Sequence, residues 1–310
     1  MHRRNFLHSG ILGGAAAFSG TNQVFANTAK KHLYDDKAGR PFNCDYAPHF
    51  GMFENNAGKD LIDQLRYMHD QGFRSLEDNG MMARPADVQQ KIGNELSRLG
   101  MRMGVFVIDG GDNWKTSLAT GKQEYTDLFV ATCRKAVETG KRCNAKWATV
   151  VPGYFERKLP MELQTANVIK ALRLGAAILE PAGLAMVMEP LSDNPDLLLR
   201  NSNQAYMVAK AVNSPSCKIL FDIYHMQRNE GDLIMNIDAC WDELGYVQIG
   251  DNPGRNEPGT GEVNYKNIFE HLHKKGYTGV LGMEHGKSQN GKEGEIALVR
   301  AYREADNFIA

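Results

Sequence analysis

The sequence predicts a single-domain α/β protein, a (β/α)8 TIM barrel, on three observations. From about residue 42 onward, apolar strand-like runs alternate with helix-period runs. Eight such units fill the remaining length, and a barrel of this kind takes about 250 residues. The first strand leads into Gly51-Met52-Phe53-Glu54 rather than a Gly-rich phosphate turn, which disfavours an open doubly wound sheet.

Each element carries its own signal. Strands are expected within residues 43–50, 73–77, 101–108, 146–151, 184–189, 217–222, 246–249 and 278–284. Their continuous apolar character fits parallel strands covered on both faces. Between them, apolar residues recur at helical spacing: Leu61, Ile62, Leu65 and Met68; Val168, Ile169 and Leu172; Ala205, Val208 and Val212; Ile268, Phe269 and Leu272. Gly72, Gly100 and Gly276 punctuate helix-to-strand returns, and Asn201 or Ser202 suits the cap of the helix after the fifth strand. No Pro/Ser linker divides residues 42–310, so they read as one barrel.

Composition excludes several function classes. With 42 % hydrophobic residues and a net charge of −1 from 36 basic and 37 acidic residues, disorder is not the main state. No excess positive charge exists for phosphate neutralisation, so nucleic acid is not an expected partner. The five cysteines are scattered with no CxxC pair, which reads as small buried hydrophobes rather than a zinc framework.

Residues 1–26 read as an address. Arg3-Arg4 precedes Phe6-Leu7, then comes a short Gly/Ala-rich apolar run, then Val24-Phe25-Ala26 at a cleavage-like position. The arginine pair resembles a twin-arginine export signal, which predicts a periplasmic protein with residues 27–41 as an N-terminal extension. The run is far shorter than the ~18 residues of a membrane span, so no stable membrane anchor is expected. A homo-oligomer stays compatible with all of this.

A barrel builds its active site at the C-terminal ends of its strands. Strands five to eight each deliver one oxygen-bearing side chain there: Glu189, Asp222, Gln248 and Glu284. Their separations of 33, 26 and 36 residues are each about one strand-helix unit. Three carboxylates converging on one mouth repel, and a divalent cation resolves the repulsion. Oxygen donors without thiolate favour Mg²⁺ or Mn²⁺ over Zn²⁺. His225 lies just past the sixth strand, where it suits substrate contact or proton shuttling. The polar loop after strand seven carries Arg255, whose planar fork suits a carboxylate or sugar oxygens, and Glu257, which suits orienting Arg255 or the substrate. His49, Glu77 and Trp114 are further candidates for substrate contact.

The segment VQIGDNPGRNEPGTGEVNY, residues 247–265, resembles the hydroxypyruvate isomerase family, one of the xylose-isomerase-like barrels that also include ketose 3-epimerases. The resemblance runs from Tyr46-Ala47-Pro48-His49-Phe50 through Phe221-Asp222-Ile223-Tyr224-His225-Met226-Gln227 to Met283-Glu284, and is most specific in the last third. It implies metal ligands at Glu189, Asp222, Gln248 and Glu284, with the two glutamates as proton-transfer residues. Gln248 matches the isomerase branch, where the epimerases usually carry His. Two stretches depart from the family. Pro190-Leu191-Ser192-Asp193-Asn194-Pro195 lacks the epimerases' further substrate-binding glutamate, and His285-Gly286-Lys287 replaces the isomerases' aromatic ending.

The expected activity is a metal-dependent aldose–ketose isomerase acting on a small keto acid or keto sugar. The alternatives are a sugar epimerase or 3-keto-glycoside lyase on the same site, and a non-catalytic sugar- or metal-binding barrel. The proton-transfer pair argues against pure binding. DNA repair endonucleases of this barrel type bind zinc clusters through several histidines, and this chain has only His49, His225 and His285 near its strand ends, which disfavours that reading.

Overall fold

The computed structural model describes residues 39–109 and 117–309. The expected leader and Trp114 lie outside the described residues. Among the described residues eight short strands occur, one inside or overlapping each expected window: β1 (Asp45–Ala47), β2 (Ser75–Leu76), β3 (Arg102–Met103), β4 (Trp147–Val150), β5 (Ala185–Met188), β6 (Cys217–Asp222), β7 (Leu244–Gln248) and β8 (Val280–Gly282). Strands pair in parallel in the order β1-β8-β7-β6-β5-β4, with β2-β3 as a separate parallel pair. Single parallel bridges, His49 to Glu77 and Val107 to Thr149, join β2-β3 to its two neighbours. The ladder therefore runs around a closed barrel, as eight right-handed strand-helix units require.

Besides a single turn at Glu54–Ala57, the α-helices among the described residues are α1 (Leu61–Asp70), α2 (Ala86–Leu99), α3 (Gln123–Cys143), α4 (Met161–Leu179), α5 (Ser202–Val212), α6 (Ile223–Asn229), α7 (Leu233–Ala239), α8 (Tyr265–Lys274) and α9 (Gly291–Ala305). The four helical periodicities in the sequence fall on α1, α4, α5 and α8. Asn201 is the N-cap of α5, and the Gln204 side chain accepts from its backbone N–H at 3.1 Å. Gly72, Gly100 and Gly276 all take positive φ at helix ends, where a side chain would be strained. No described helix is long and apolar enough to cross a membrane.

Two apolar layers follow from the period-2 alternation of strand side chains. Residues facing outward pack under the helices in one large cluster. Residues facing inward fill the barrel: Ala47, Val105, Val187, Leu220, Tyr246 and Val280 form a separate plug, with Trp147 packed against it. Four cysteines are buried and Cys44 is partly so, all as free thiols.

Where helices meet, backbone spacing sets the residue type. A Cβ on Gly93 of α2 would lie 2.1 Å from Arg142 O and 2.8 Å from Cys143 Cα of α3. Ala is favoured over Gly in a helix by about 1 kcal/mol, but overpacking against an unyielding backbone costs about 1–3 kcal/mol. Gly93→Ala is therefore expected to lower the unfolding free energy by about 2 kcal/mol, measured by denaturant titration. A stabilised variant would contradict this packing.

Candidate active site

Advancing two residues from each plug residue reaches the inner face of the barrel mouth. Val187 leads to Glu189, Leu220 to Asp222 and Tyr246 to Gln248. Val280 leads to Gly282 and then Glu284. The same step takes Ser75 to Glu77 and Asn79, and Val105 to Val107 and Asp109. These positions sit over the plug around a cavity of about 310 Å³, whose lining includes Asn79, Asp109, Glu189, Asp193, His225 and Glu284.

Asp222 is fully buried and has two tasks. Its Oδ1 caps α6, accepting from Tyr224 N at 2.7 Å and His225 N at 3.3 Å, while Oδ2 accepts from Arg255 Nη2 at 3.0 Å. Glu284 sits closer to solvent. Its Oε1 accepts from Asn79 Nδ2 at 2.8 Å and its Oε2 from Arg255 Nη2 at 2.7 Å. Burial, with the Asp222 charge adding to it, pushes the Glu284 carboxyl up to about 7. Glu189 is also buried, and burial together with the charges of Glu284 and Asp222 holds its carboxyl well above the usual range.

His225, on the first turn of α6, is fully buried. Its Nδ1 accepts from Ser192 N at 3.2 Å and lies 2.8 Å from Ser192 Oγ. A backbone N–H only donates, so the network assigns the ring proton of the neutral form to Nε2. That atom lies 3.5 Å from Asp222 Oδ2 and 3.8 Å from both Glu189 Oε1 and Asp193 Oδ2. Burial lowers its basicity, opposed by Asp222, so the ring reads as a neutral donor into the cavity.

The donor set fits a cation. Ligand atoms of Glu189, Asp222, His225 and Glu284 all lie within 4.8 Å of one another. Glu189 Oε1, His225 Nε2 and Gln248 Oε1 are buried with no hydrogen-bond partner. Two oxygen acceptors without a donor, beside two further carboxylates, suit a hard divalent ion. His225, with Nε2 protonated, suits a substrate oxygen better than the ion.

Arg255 is placed at the cluster in a way its sequence position did not reveal. Its Nη2 bridges Asp222 and Glu284, its Nε donates to Glu284 O at 3.1 Å, and its guanidinium stacks over the Tyr224 ring at 4.9 Å. The expected fork for a substrate anion is thus already engaged by two carboxylates, although Arg255 still lines the cavity. Glu257 is a correction. It is buried, with Oε2 accepting from Ser288 N at 3.0 Å and Oε1 from the Ser288 hydroxyl, so it ties two loops together, and it is not among the residues that line the cavity. Asn79 and Asp193 escaped the sequence reading. Asn79 was recoverable from the two-residue step beyond Glu77; Asp193 sits on a loop and had no such signal.

His285, next to Glu284, is buried and structural. Its Nδ1 donates to Gly286 O at 2.6 Å, and its Nε2 accepts from the Tyr302 hydroxyl at 2.7 Å. Burial pushes its pKa from 6.5 down to about 4. The unfolded chain therefore binds a proton that the folded chain refuses as pH falls between these values, so folding stability drops. Wild type is expected to lose about 2–3 kcal/mol more than His285→Gln between pH 6.5 and 4.5 in denaturant titrations. Equal losses would contradict a neutral buried ring.

Comparisons with known proteins agree with this architecture. Residues 65–305 match the family described as Xylose isomerase-like TIM barrel. Hydroxypyruvate isomerase of Escherichia coli strain K12 is 32 % identical over 185 residues, which cover 59 % of this chain and 69 % of that protein. The 2-oxo-tetronate isomerase of Cupriavidus necator is 32 % identical over 122 residues, 39 % of this chain and 47 % of that protein, so the chain matches about half of that relative's length. Among solved structures, an AP endonuclease, family 2, from Brucella melitensis superposes with a TM-score of 0.70 at 24 % identity, covering 81 % of this chain and 96 % of that one. At that identity the likeness concerns the fold alone.

Proposed function

Because the chain belongs to the xylose isomerase-like TIM barrel family, we propose that it is a metal-dependent aldose–ketose isomerase resembling hydroxypyruvate isomerase. Relatives named hydroxypyruvate isomerase and 2-oxo-tetronate isomerase support an isomerase. The observation that carries the reading is the mouth cluster, in which the carboxylates of Glu189, Asp222 and Glu284 lie with His225 within 4.8 Å of one another and the buried Glu189 Oε1 and Gln248 Oε1 are left without donors.

Glu189, Asp222, Gln248 and Glu284 would hold the ion, Mg²⁺ or Mn²⁺ by their chemistry. When bound, it would polarise a substrate carbonyl and adjacent hydroxyl and offset the charge that develops on their oxygens. The residues of the chain do the rest. One of the two glutamates takes the proton from the hydroxyl-bearing carbon of a 2-hydroxy-carbonyl compound, giving an enediolate. The other returns a proton to the former carbonyl carbon, while the hydroxyl proton passes to the new hydroxyl. No atom is gained or lost, and hydroxypyruvate treated this way becomes tartronate semialdehyde. Burial raises the basicity of both glutamates toward the range where a carboxylate works as a base near neutral pH. His225 Nε2–H donates to a substrate oxygen, and Arg255 bridges Asp222 and Glu284 from the loop side until the ion takes that place.

A second reading has a specific observation behind it. Asp193 lies on the cavity wall, half-exposed, and its nearest ionic partner is His225 Nε2 at 3.8 Å. A carboxylate there accepts from sugar hydroxyls and repels an anionic keto acid. That favours a sugar epimerase or 3-keto-glycoside lyase on the same site. A panel of 2-keto acids, keto sugars and 3-keto-glycosides, assayed with Mn²⁺ for solvent-deuterium incorporation, separates the two. Turnover of 3-keto-glycosides without any of hydroxypyruvate would replace the leading reading by the second.

Glu189→Gln and Glu284→Gln are each expected to lower turnover on the accepted substrate by about 100-fold or more and to suppress deuterium exchange. Full turnover in either variant would sink the proton-transfer assignment. Export by the twin-arginine route is part of the proposal and rests on Arg3-Arg4 and the segment that follows. Cell fractionation of Arg3→Lys/Arg4→Lys is expected to show the chain retained in the cytoplasm; undiminished periplasmic recovery would contradict that route.

A further inference from the structure

A carboxylate deep inside a barrel that already carries three others is costly unless it does something there. Glu77 is such a group, 2 % exposed at the end of β2. Its Oε1 accepts from Gln248 Nε2 at 2.8 Å and its Oε2 from the Tyr246 hydroxyl at 3.0 Å. Tyr246 and Gln248 are successive inward residues of β7, so one strand supplies both the anchor and the amide. The barrel makes room for Glu77 across the lumen: a Cβ on Gly282 of β8 would lie 1.8 Å from Glu77 Oε2. Its backbone is fixed too, because Glu77 N donates to Pro48 O at 3.0 Å.

We infer that Glu77 is a positioning residue that sets the direction of the Gln248 amide, so that the carbonyl oxygen and not the NH₂ group faces the cation site. The two ends of a primary amide have nearly the same shape, and hydrogen-bond partners alone decide which way it points. An NH₂ group turned to the mouth would present hydrogens to a cation and a lone pair to Glu77. With the carboxylate holding Nε2, the Oε1 atom is left buried with no donor. A cation ligand is what such an oxygen lacks. The inference rests on the proposed cation site. It goes beyond it by giving a role to a residue whose own oxygens are both taken by side chains of β7.

The experiment is a Mn²⁺ titration of the full chain by calorimetry, with free Mn²⁺ followed by electron paramagnetic resonance. It compares wild type, Glu77→Leu, Glu77→Gln, Gln248→Ala and the double variant Glu77→Leu/Gln248→Ala. Glu77→Leu is expected to weaken Mn²⁺ binding by about 10–100-fold. Glu77→Gln keeps a carbonyl acceptor for Gln248 Nε2 and is expected to stay within about 3-fold of wild type, the rescue that an orienting role requires. In the Gln248→Ala background, Glu77→Leu is expected to add no further loss. A loss of the same size with and without Gln248 would mean general damage to the barrel and overturn the inference. Wild-type affinity in Glu77→Leu would overturn it alone and leave the cation site standing. No Mn²⁺ binding by the wild-type chain would overturn the cation site and this inference together.

Discussion

The constraint on which the structure turns is the crowding of negative charge in the barrel mouth. Glu77, Glu189, Asp222 and Glu284 point into one lumen, three of them nearly inaccessible to water. Such a group is stable only if positive charge and donors are brought to it. Much of the nearby chain does this. Asp222 is bound by the Tyr224 and His225 amides of α6, Glu284 by Asn79, and Arg255 crosses from the β7 loop to bridge Asp222 and Glu284. That loop is itself held by the buried Asp251, whose carboxylate accepts from Gly259, Gly261 and Val263 N–H groups. What these donors leave unmet, at Glu189 Oε1 and Gln248 Oε1, is the part a cation would satisfy.

The apolar plug beneath the mouth gives the site its chemistry. It keeps water from the lumen side of the carboxylates, so their charged forms are penalised and their basicity rises. Burial holds the Glu284 carboxyl up to about 7, so in the ion-free site its charged and neutral forms lie close in free energy near neutrality, which those of an exposed glutamate do not. Arg255 works in the other direction and keeps the charged forms accessible. Plug and site are therefore two layers of one side-chain alternation.

The strands were legible because both of their faces are apolar, and a run such as residues 217–222 has few other readings. β7 starts two residues before its expected window because Leu244 and Gly245 lack the strong strand residues that follow. Helices α2 and α3 were harder to see: their buried sets include Gln89, Glu95, Thr132 and Thr139, so the apolar stripe is broken by polar residues. In the site, Glu189, Asp222, Gln248 and Glu284 were legible because each ends a strand at regular spacing. Loop geometry was not. Nothing local marks that Glu257 turns to Ser288, that Arg255 is consumed by two carboxylates, or that Asp193 reaches the cavity wall, because each depends on contacts across distant segments. Glu77 was visible as a strand-end residue, but its partners on β7 emerge only once the barrel closes.

Anomalous diffraction from crystals grown with Mn²⁺ tests the central claim most directly. The account predicts a single strong peak in the barrel mouth, within coordinating distance of Glu189, Asp222, Gln248 and Glu284, with the Arg255 guanidinium displaced from its bridge between the two carboxylates. A mouth without a peak at saturating Mn²⁺, with Arg255 still bridging Asp222 and Glu284, would contradict it.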